Sequence, residues 1–368
     1  MKVIDADAHV EECTETWKYL DQQFYAQRPI PVTIIEDTSF GVNNAFWLIE
    51  GKVFPKIVGP GAFIFGTPAT SEAAKRKPFP IGAQTLEDVS ARLADMDRMG
   101  IDTQIIFPTL FLVTLCDSVP LEVALCRSYN TWMAEVCRRG NGRVRYSAVM
   151  PLRDVKASVE ELRRTKDAGA IAATALGSVW DKNLTDKVFY PFWEQAERLN
   201  IPVCIHFGWS FPALTNFYAD LANSSFSAAA LPVIMAFHSI ISSRLLDEFP
   251  RLKLAFLEVG SEWLPYAVHK LDRRYRNSGA SLSSFAAPRK PSDYLKNGNI
   301  YVACETDEDI NHVLTCIGED QLVIASDYPH SDPSREEDLV GALNNRTDVP
   351  AKVREKILCH NPARLYEL

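Results

Sequence analysis

What this sequence lacks narrows its class. It has no C-x-x-C pair, and its eight cysteines (Cys13, Cys116, Cys126, Cys137, Cys204, Cys304, Cys316, Cys359) are scattered, several of them inside apolar runs. Cysteine in that setting packs as a small hydrophobe, which implies reduced thiols in a cytoplasmic protein and excludes a disulfide framework. There is no block of lysine or arginine, and the formal net charge is -8, so nucleic acid is not an expected partner. The apolar start is a few residues long and runs straight into acids, unlike a secretory signal. No apolar run approaches the roughly 20 residues that span a bilayer, so no membrane is expected either. No Gly-rich phosphate fingerprint follows an apolar run, which disfavours a doubly wound open sheet.

What is present is ordinary in bulk and regular in order. Hydrophobic residues make up 47% and charged residues 23% of 368, enough apolar content for a sizeable enzyme core. The chain opens on a short apolar strand that ends in Asp5-Ala-Asp7-Ala-His9-Val10. Strand alternation puts Asp5, Asp7 and His9 on one side. An excursion over residues 11–84 follows. It carries a hairpin (Pro31–Glu36 and Phe46–Val53, around Phe40–Asn44) and a Gly/Pro-rich stretch from Pro55 to Pro80. Its aromatics (Trp47, Phe54, Phe63, Phe65) suit a lid over a substrate, or equally a satellite core or a subunit contact.

From Thr85, a plausible N-cap, helices and strands alternate. Strands are expected at Thr103–Pro108, Val144–Met150, Ala170–Leu176, Pro202–His206, Leu252–Glu258, Ile300–Glu305 and Leu322–Asp327. A long helix, Ala228–Glu248, is stopped by Phe249-Pro250. Eight continuous apolar strands, most separated by helices, predict a (β/α)8 TIM barrel over 1–368, with 11–84 inserted after the first strand.

Barrel active sites form at the C-terminal strand ends, and the residues there share a chemistry. The first strand ends in Asp7 and His9, the fifth in His206, the sixth in Glu258, the seventh in Glu305, and the eighth in Ser326-Asp327-Tyr328-Pro329-His330. So many acids and imidazoles on one rim would repel one another unless a cation neutralised them. Their nitrogen and oxygen donors suit zinc, manganese or iron. Asp5 reads as a hydrogen-bonding support for the rim rather than a ligand. Glu305 reads equally as a ligand or as part of a helix N-terminus. His238, within the long helix, is a core histidine or a site residue. His330 reads as a ligand or as a partner orienting one.

These motifs, with Glu248-Phe-Pro-Arg-Leu-Lys-Leu254, Trp263-Leu-Pro-Tyr266 and Asn361-Pro-Ala-Arg-Leu-Tyr366, resemble the amidohydrolase superfamily over nearly the whole chain. The resemblance is to its amidohydrolase-2 branch, which includes the aminocarboxymuconate-semialdehyde decarboxylase-like enzymes. It implies the same barrel, with Asp7, His9, His206 and Asp327 as metal ligands and Asp327 also handling a proton. Two departures stand out. Decarboxylases of the branch carry a histidine where this chain has Glu258. The fourth strand offers no lysine or acid to bridge two metals, yet Glu258, Glu305 and His238 are surplus to one ion. The leading expectation is therefore a hydrolase whose metal-bound water attacks a carbonyl of a small organic substrate, with Asp327 or Glu258 as base. A dinuclear iron or iron–manganese oxygenase is the alternative, with Glu258, His238 and perhaps Glu305 completing the second metal site. A decarboxylase is the third reading, with His238 or His330 replacing the missing proton donor. One or two divalent ions per chain are expected, and a homo-oligomer.

Overall fold

The computed structural model describes residues 2–35, 41–277 and 286–368. The first strand, β1 (Ile4–Val10), leads into the 11–84 excursion, where β2 (Ile30–Thr33), β3 (Ala45–Ile49) and β4 (Lys52–Phe54) make a separate antiparallel sheet. The strands that follow are β5 (Thr103–Pro108), β6 (Val144–Val149), β7 (Ala172–Leu176), β8 (Val203–His206), β9 (Leu254–Leu257), β10 (Ile300–Cys304) and β11 (Leu322–Ile324). With β1 they form one parallel sheet of eight, in the order β1-β5-β6-β7-β8-β9-β10-β11. The large sheet curls until β1 meets the segment following β11. There Asp327 N donates to Asp7 O at 3.2 Å, and Ser326 N donates to Asp5 Oδ1 at 2.9 Å. The (β/α)8 barrel is therefore as expected.

The interior is filled by side chains from alternate strand positions, among them Ile4, Ala6, Ile105, Phe107, Ala255, Leu257, Tyr301 and Val323. Leu365 and Tyr366 of the last helix join that layer, and the Tyr366 hydroxyl donates to Ala6 O at 2.7 Å. The opposite strand faces, including Ala8, Ile106, Ile205 and Phe256, pack against the surrounding helices. Ile4 and Ala6 face inward while Ala8 and Val10 face outward, so β1 changes phase. The cause is a register shift against β5 between Asp5 and Ala8. A one-residue slip flips the side chains beyond it. Asp5 accordingly points away from the side taken by Asp7 and His9, and the expectation that all three share one side fails here.

Three other boundaries differ from the sequence reading. Asp88, not Thr85, caps the helix Val89–Met99, accepting from Ala91 N at 3.0 Å. The stretch Phe46–Val53 is two strands, because Glu50 (φ 49°) and Gly51 (φ 75°) turn the chain back on itself. Consecutive left-handed residues are what a tight hairpin turn requires, and glutamate there is an uncommon signal. Part of the expected hairpin, residues 36–40, lies outside the described residues. The long helix ends at Ser242, where extended Ser243 breaks it and its hydroxyl accepts from Leu245 N.

That helix also corrects the expected absence of long apolar runs. Ser225–Ser242 is long and apolar enough to cross a membrane by composition, with mean hydropathy 1.6. Ala228, Ala229, Val233, Phe237 and Ile240 are nevertheless buried against the barrel.

Candidate metal centre

The ends of four strands deliver the polar side chains. Asp7 and His9 come from β1, His206 is the last residue of β8, and Glu258 directly follows β9. Asp327 and His330 follow β11, whose own residues end at Ile324. Glu258 (φ 58°) and Asp327 (φ 53°) both adopt the left-handed backbone region, which costs a non-glycine residue about 1 to 3 kcal/mol and is tolerated where surroundings over-determine it. The turn at each residue carries its carboxylate into the ring of candidate ligands.

The geometry is compact. His206 Nε2 lies 3.0 Å from Asp7 Oδ2, and His9 Nε2 lies 3.4 Å from Asp7 Oδ1, 3.5 Å from Asp327 Oδ1 and 3.7 Å from Glu258 Oε2. His330 Nδ1 is 2.7 Å from Asp327 Oδ1, and its ring stacks on that of His9 at 4.1 Å. The first two imidazoles are held from behind. His9 Nδ1 lies 2.9 Å from Pro108 O and His206 Nδ1 lies 3.0 Å from Phe207 O, so the proton belongs on Nδ1 and the Nε2 lone pairs face the cluster. His9 Nε2, His206 Nε2, Asp7 Oδ1, Asp327 Oδ1 and both oxygens of Glu258 are buried without a hydrogen-bond partner. Buried polar atoms are rarely left so, and orphans converging on one point fit a cation. Nitrogen and carboxylate donors of this mixture suit zinc, manganese or iron.

The electrostatics are those of a site crowded with acids: burial lowers His206, but the Asp7 carboxylate outweighs it and raises that ring. Burial, then the neighbouring Asp327, pushes the Glu258 carboxyl well above its usual range. Burial raises Asp327 as well. Burial, followed by the His330 and His206 rings, drives His9 well below its usual value, which keeps the ring neutral and able to bind a metal.

The remaining expected residues separate. Asp5 supports the rim, accepting from Gln104 Nε2 at 2.9 Å and from Ser326 N. Glu305 stands at the mouth of the adjoining cavity, exposed, its carboxyl raised to about 7 by partial burial and by Glu308. It is not among the clustered ligand atoms. His238 is exposed on the outer side of the helix Leu231–Ser242 and takes no part in the site, because the helix turns that face from the barrel. The expectations that gave His238 a second metal or a proton to carry are corrected accordingly.

The sequence reading missed several members. Asp332 lies within ligand distance of Glu258 and Asp327. Ser334 Oγ is 3.0 Å from Asp327 Oδ2 and 2.7 Å from Asp332 Oδ2. Thr109 Oγ1 is 2.9 Å from His330 Nε2. The buried carboxylate of Glu12 holds Thr109 in place, accepting from Thr109 N at 3.2 Å and Leu110 N at 2.8 Å. An acid soon after a strand-end aspartate was the available sign for Asp332; the others leave none in sequence.

Two cavities flank the wall formed by residues 327–334. One of about 320 Å³ is lined by Asp7, Glu258, Glu305, Asp327, Ser334 and Arg335. The other, about 210 Å³, lies where the excursion meets the rim and is lined by Phe65, Lys77, Thr109, His330 and Asp332. Lys77 Nζ pairs there with Glu11 Oε1 at 2.7 Å. Phe65 packs edge-on to His330 and near Trp209.

A barrel with such a rim defines a class, and comparison with known proteins agrees. The sequence model of the Amidohydrolase family matches residues 4–368, so the chain belongs to that family. The gamma-resorcylate decarboxylase of Rhizobium sp. (strain MTP-10005) is 28% identical over 298 residues, covering 77% of this chain and 88% of the relative. An amidohydrolase from Mycobacterium avium subsp. paratuberculosis K-10 superposes with a TM-score of 0.80 at 20% identity, over 100% of this chain and 98% of its own. A dihydroxybenzoic acid decarboxylase from Polaromonas sp. JS666, with bound manganese and the inhibitor 2-nitroresorcinol, gives 0.62 at 22% identity, over 77% of this chain and 86% of its own. Other relatives, bacterial and from Dictyostelium discoideum, are decarboxylases too. This overturns the expectation of a hydrolase, and nothing among these relatives supports an iron oxygenase.

Proposed function

We propose that this protein is a metal-dependent decarboxylase of a small, partly apolar carboxylic acid, removing CO2 without net oxidation. The observation that carries the reading is the buried, unpartnered ligand set of Asp7, His9, His206 and Asp327 opening on a cavity whose wall includes Glu258. Its relatedness to gamma-resorcylate decarboxylases supports the same reading. The four residues would hold one divalent ion, manganese being the ion in the Polaromonas protein, and its charge would fix the substrate's carboxylate and an adjacent oxygen.

Decarboxylation replaces a carbon–carbon bond with a carbon–hydrogen bond, so the site must deliver one proton to the carbon that loses CO2. Glu258 occupies the strand end where branch decarboxylases carry histidine, and its side chain is only 4% exposed. As a protonated carboxyl it would give that proton to the ring or vinyl carbon, the new C–H bond taking the electron pair that the departing CO2 leaves on that carbon. His330 and Ser334 contact Asp327 from two sides and would keep one of its oxygens turned to the ion. The excursion over residues 11–84, through Phe65 and Lys77, would cover the site. The exposed row Ile30, Leu48 and Val53 on its small sheet is consistent with a homo-oligomer.

The test is CO2 release from a panel of hydroxybenzoates, gamma-resorcylate first, by manganese-loaded protein and by Glu258→Gln. The variant is expected still to bind manganese, though more weakly because Glu258 lies in one ligand cluster with Asp7, His9 and His206, and at saturating manganese to lose about two or more orders of magnitude in kcat. Turnover undiminished in the variant would remove Glu258 from the chemistry. Hydrolysis products without CO2 would overturn the assignment.

A further inference from the structure

We infer that Glu308, which is not among the clustered ligand atoms, is a positioning residue for Glu258. Among the described residues, neither oxygen of the Glu258 carboxylate has a hydrogen-bond partner. Its direction is therefore set by the backbone, which turns left-handed at Glu258 (φ 58°) and again at Gly260 (φ 62°). Strand β9, ending at Leu257, fixes this turn on one side. Glu308 fixes it on the other. The buried Glu308 carboxylate accepts from Ser261 N and Ser261 Oγ, from Glu262 N at 3.0 Å and from Glu305 N at 3.0 Å. Ser261 and Glu262 belong to the turn after Glu258, and Glu305 directly follows β10, so one side chain laces two neighbouring segments of the rim. Glu262 returns the tie, its Oε1 accepting from Asp309 N at 2.8 Å.

The helix Trp263–Asn277 begins just after these donors, and an acid at a helix start commonly serves the helix alone. Two features of this turn reach further. A Cβ added to Gly260 would stand 2.6 Å from Glu308 Oε1, so the turn that leaves Glu258 is fitted against the Glu308 carboxylate. The left-handed backbone at Glu258 is also costly for a residue with a side chain, and it persists only where its surroundings hold it. Hydrogen bonds accepted by a carboxylate are about twice as strong as neutral ones, and Glu308 gathers them where that strain would otherwise relax. If they are lost, the turn opens and Glu258 swings away from Asp7, His9 and His206, with which it shares a cluster.

The catalytic consequence rests on the decarboxylase reading. With Glu258 as the proton donor, a loosened turn lowers kcat and leaves substrate binding nearly as it was.

The experiment introduces Glu308→Gln into the unaltered full-length chain and into Glu258→Gln. It measures manganese(II) affinity by equilibrium dialysis, and kcat and KM for CO2 release. Glutamine keeps the size of the side chain, but its amide group would meet N–H donors with N–H. In the unaltered chain the substitution should weaken manganese binding and lower kcat, each about tenfold or more, with KM changed by less than about twofold. In Glu258→Gln the same substitution should change either quantity by less than about twofold, because the group that Glu308 positions is already gone. Tm should fall alike in both backgrounds, since the helix start loses its bonds in each. Equal losses of affinity or of kcat in the two backgrounds would overturn the inference and leave Glu308 a helix cap. No loss in either readout would overturn it as well. If Glu308→Gln does not fold, Ser261→Ala removes one hydrogen bond and carries the same comparison, with a loss of about threefold expected in the unaltered chain alone. Manganese binding involves no turnover, so a failure of the decarboxylase reading leaves that half of the comparison standing.

Discussion

Arg92 Nη2 donates to the carbonyl oxygen of His9 at 3.0 Å, and the same guanidinium lies 3.8 Å from the ring centre of Tyr328. It thereby clamps the far end of β1 to the segment that follows the last strand, beneath the candidate metal centre. Its Nε donates to Gln104 Oε1 at 2.7 Å, Gln104 donates on to Asp5, and Asp5 accepts from Ser326. The arginine is fully buried, and its guanidinium also donates to Ala83 O at 3.3 Å, so these acceptors have no solvent to replace it. Replacing Arg92 with methionine keeps the stem but orphans the carbonyls and the Gln104 oxygen. We expect a loss of about 3 to 5 kcal/mol in urea unfolding, with Arg92→Lys recovering little because an ammonium cannot reproduce the fork. A loss below about 1 kcal/mol would show that water replaces the guanidinium and that the clamp is not structural.

Metal removal should be visible in stability before it is assayed in activity. Without a cation, the buried Glu258 carboxyl faces Asp7 on one side and Asp327 on the other. Dialysis against a chelator is expected to lower Tm, and added manganese to restore it in a concentration-dependent way, because a ligand that binds only the folded state stabilises it. His206→Ala should abolish that manganese-dependent rise. An unchanged Tm on chelation would count against a preformed site.

Glu12 makes a pH prediction with a definite sign. Burial raises its carboxyl to about 8, outweighing the backbone N–H groups of Leu110 and Thr109 that favour the charge. A folded value above the unfolded value near 4.5 means folding favours the protonated form. The contribution is complete below about pH 4.5 and is lost progressively as pH rises to about 8, by an amount on the order of a few kcal/mol. Denaturation at a series of pH values should show stability falling over that window, and falling less steeply in Glu12→Gln. That variant should also be weaker by about 1 kcal/mol at low pH, since its amide can serve only one of the two N–H groups. Parallel pH profiles for the two proteins would show that Glu12 is ionised in the fold.

His238→Ala should do almost nothing. The side chain is exposed on a helix face turned from the barrel, so stability should move by no more than about 0.5 kcal/mol, and bound metal not at all. Loss of metal in this variant would place His238 nearer the site than its helix allows.

Much of the candidate site is legible in the amino-acid order, for one physical reason. In a barrel of parallel strands, the residue after each apolar run must stand at the same rim, so Asp7, His9, His206, Glu258 and Asp327 are found by locating where apolar runs end. Eight such runs, spaced by helices, determined the architecture itself. Tertiary structure decided what no run of residues encodes. The 3.6-residue period relates His238 to its neighbours on the helix but does not say which face meets the barrel. The phase change in β1 arises from its pairing with β5, so only the assembled sheet shows that Asp5 turns away from the side that Asp7 takes. Asp332 and Ser334 sit in a loop without periodicity, brought to the cluster by the left-handed turn at Asp327. The Arg92–Gln104–Asp5 clamp and the Glu12 carboxylate are buried polar groups whose partners come from distant segments, and local sequence carries no record of such pairing.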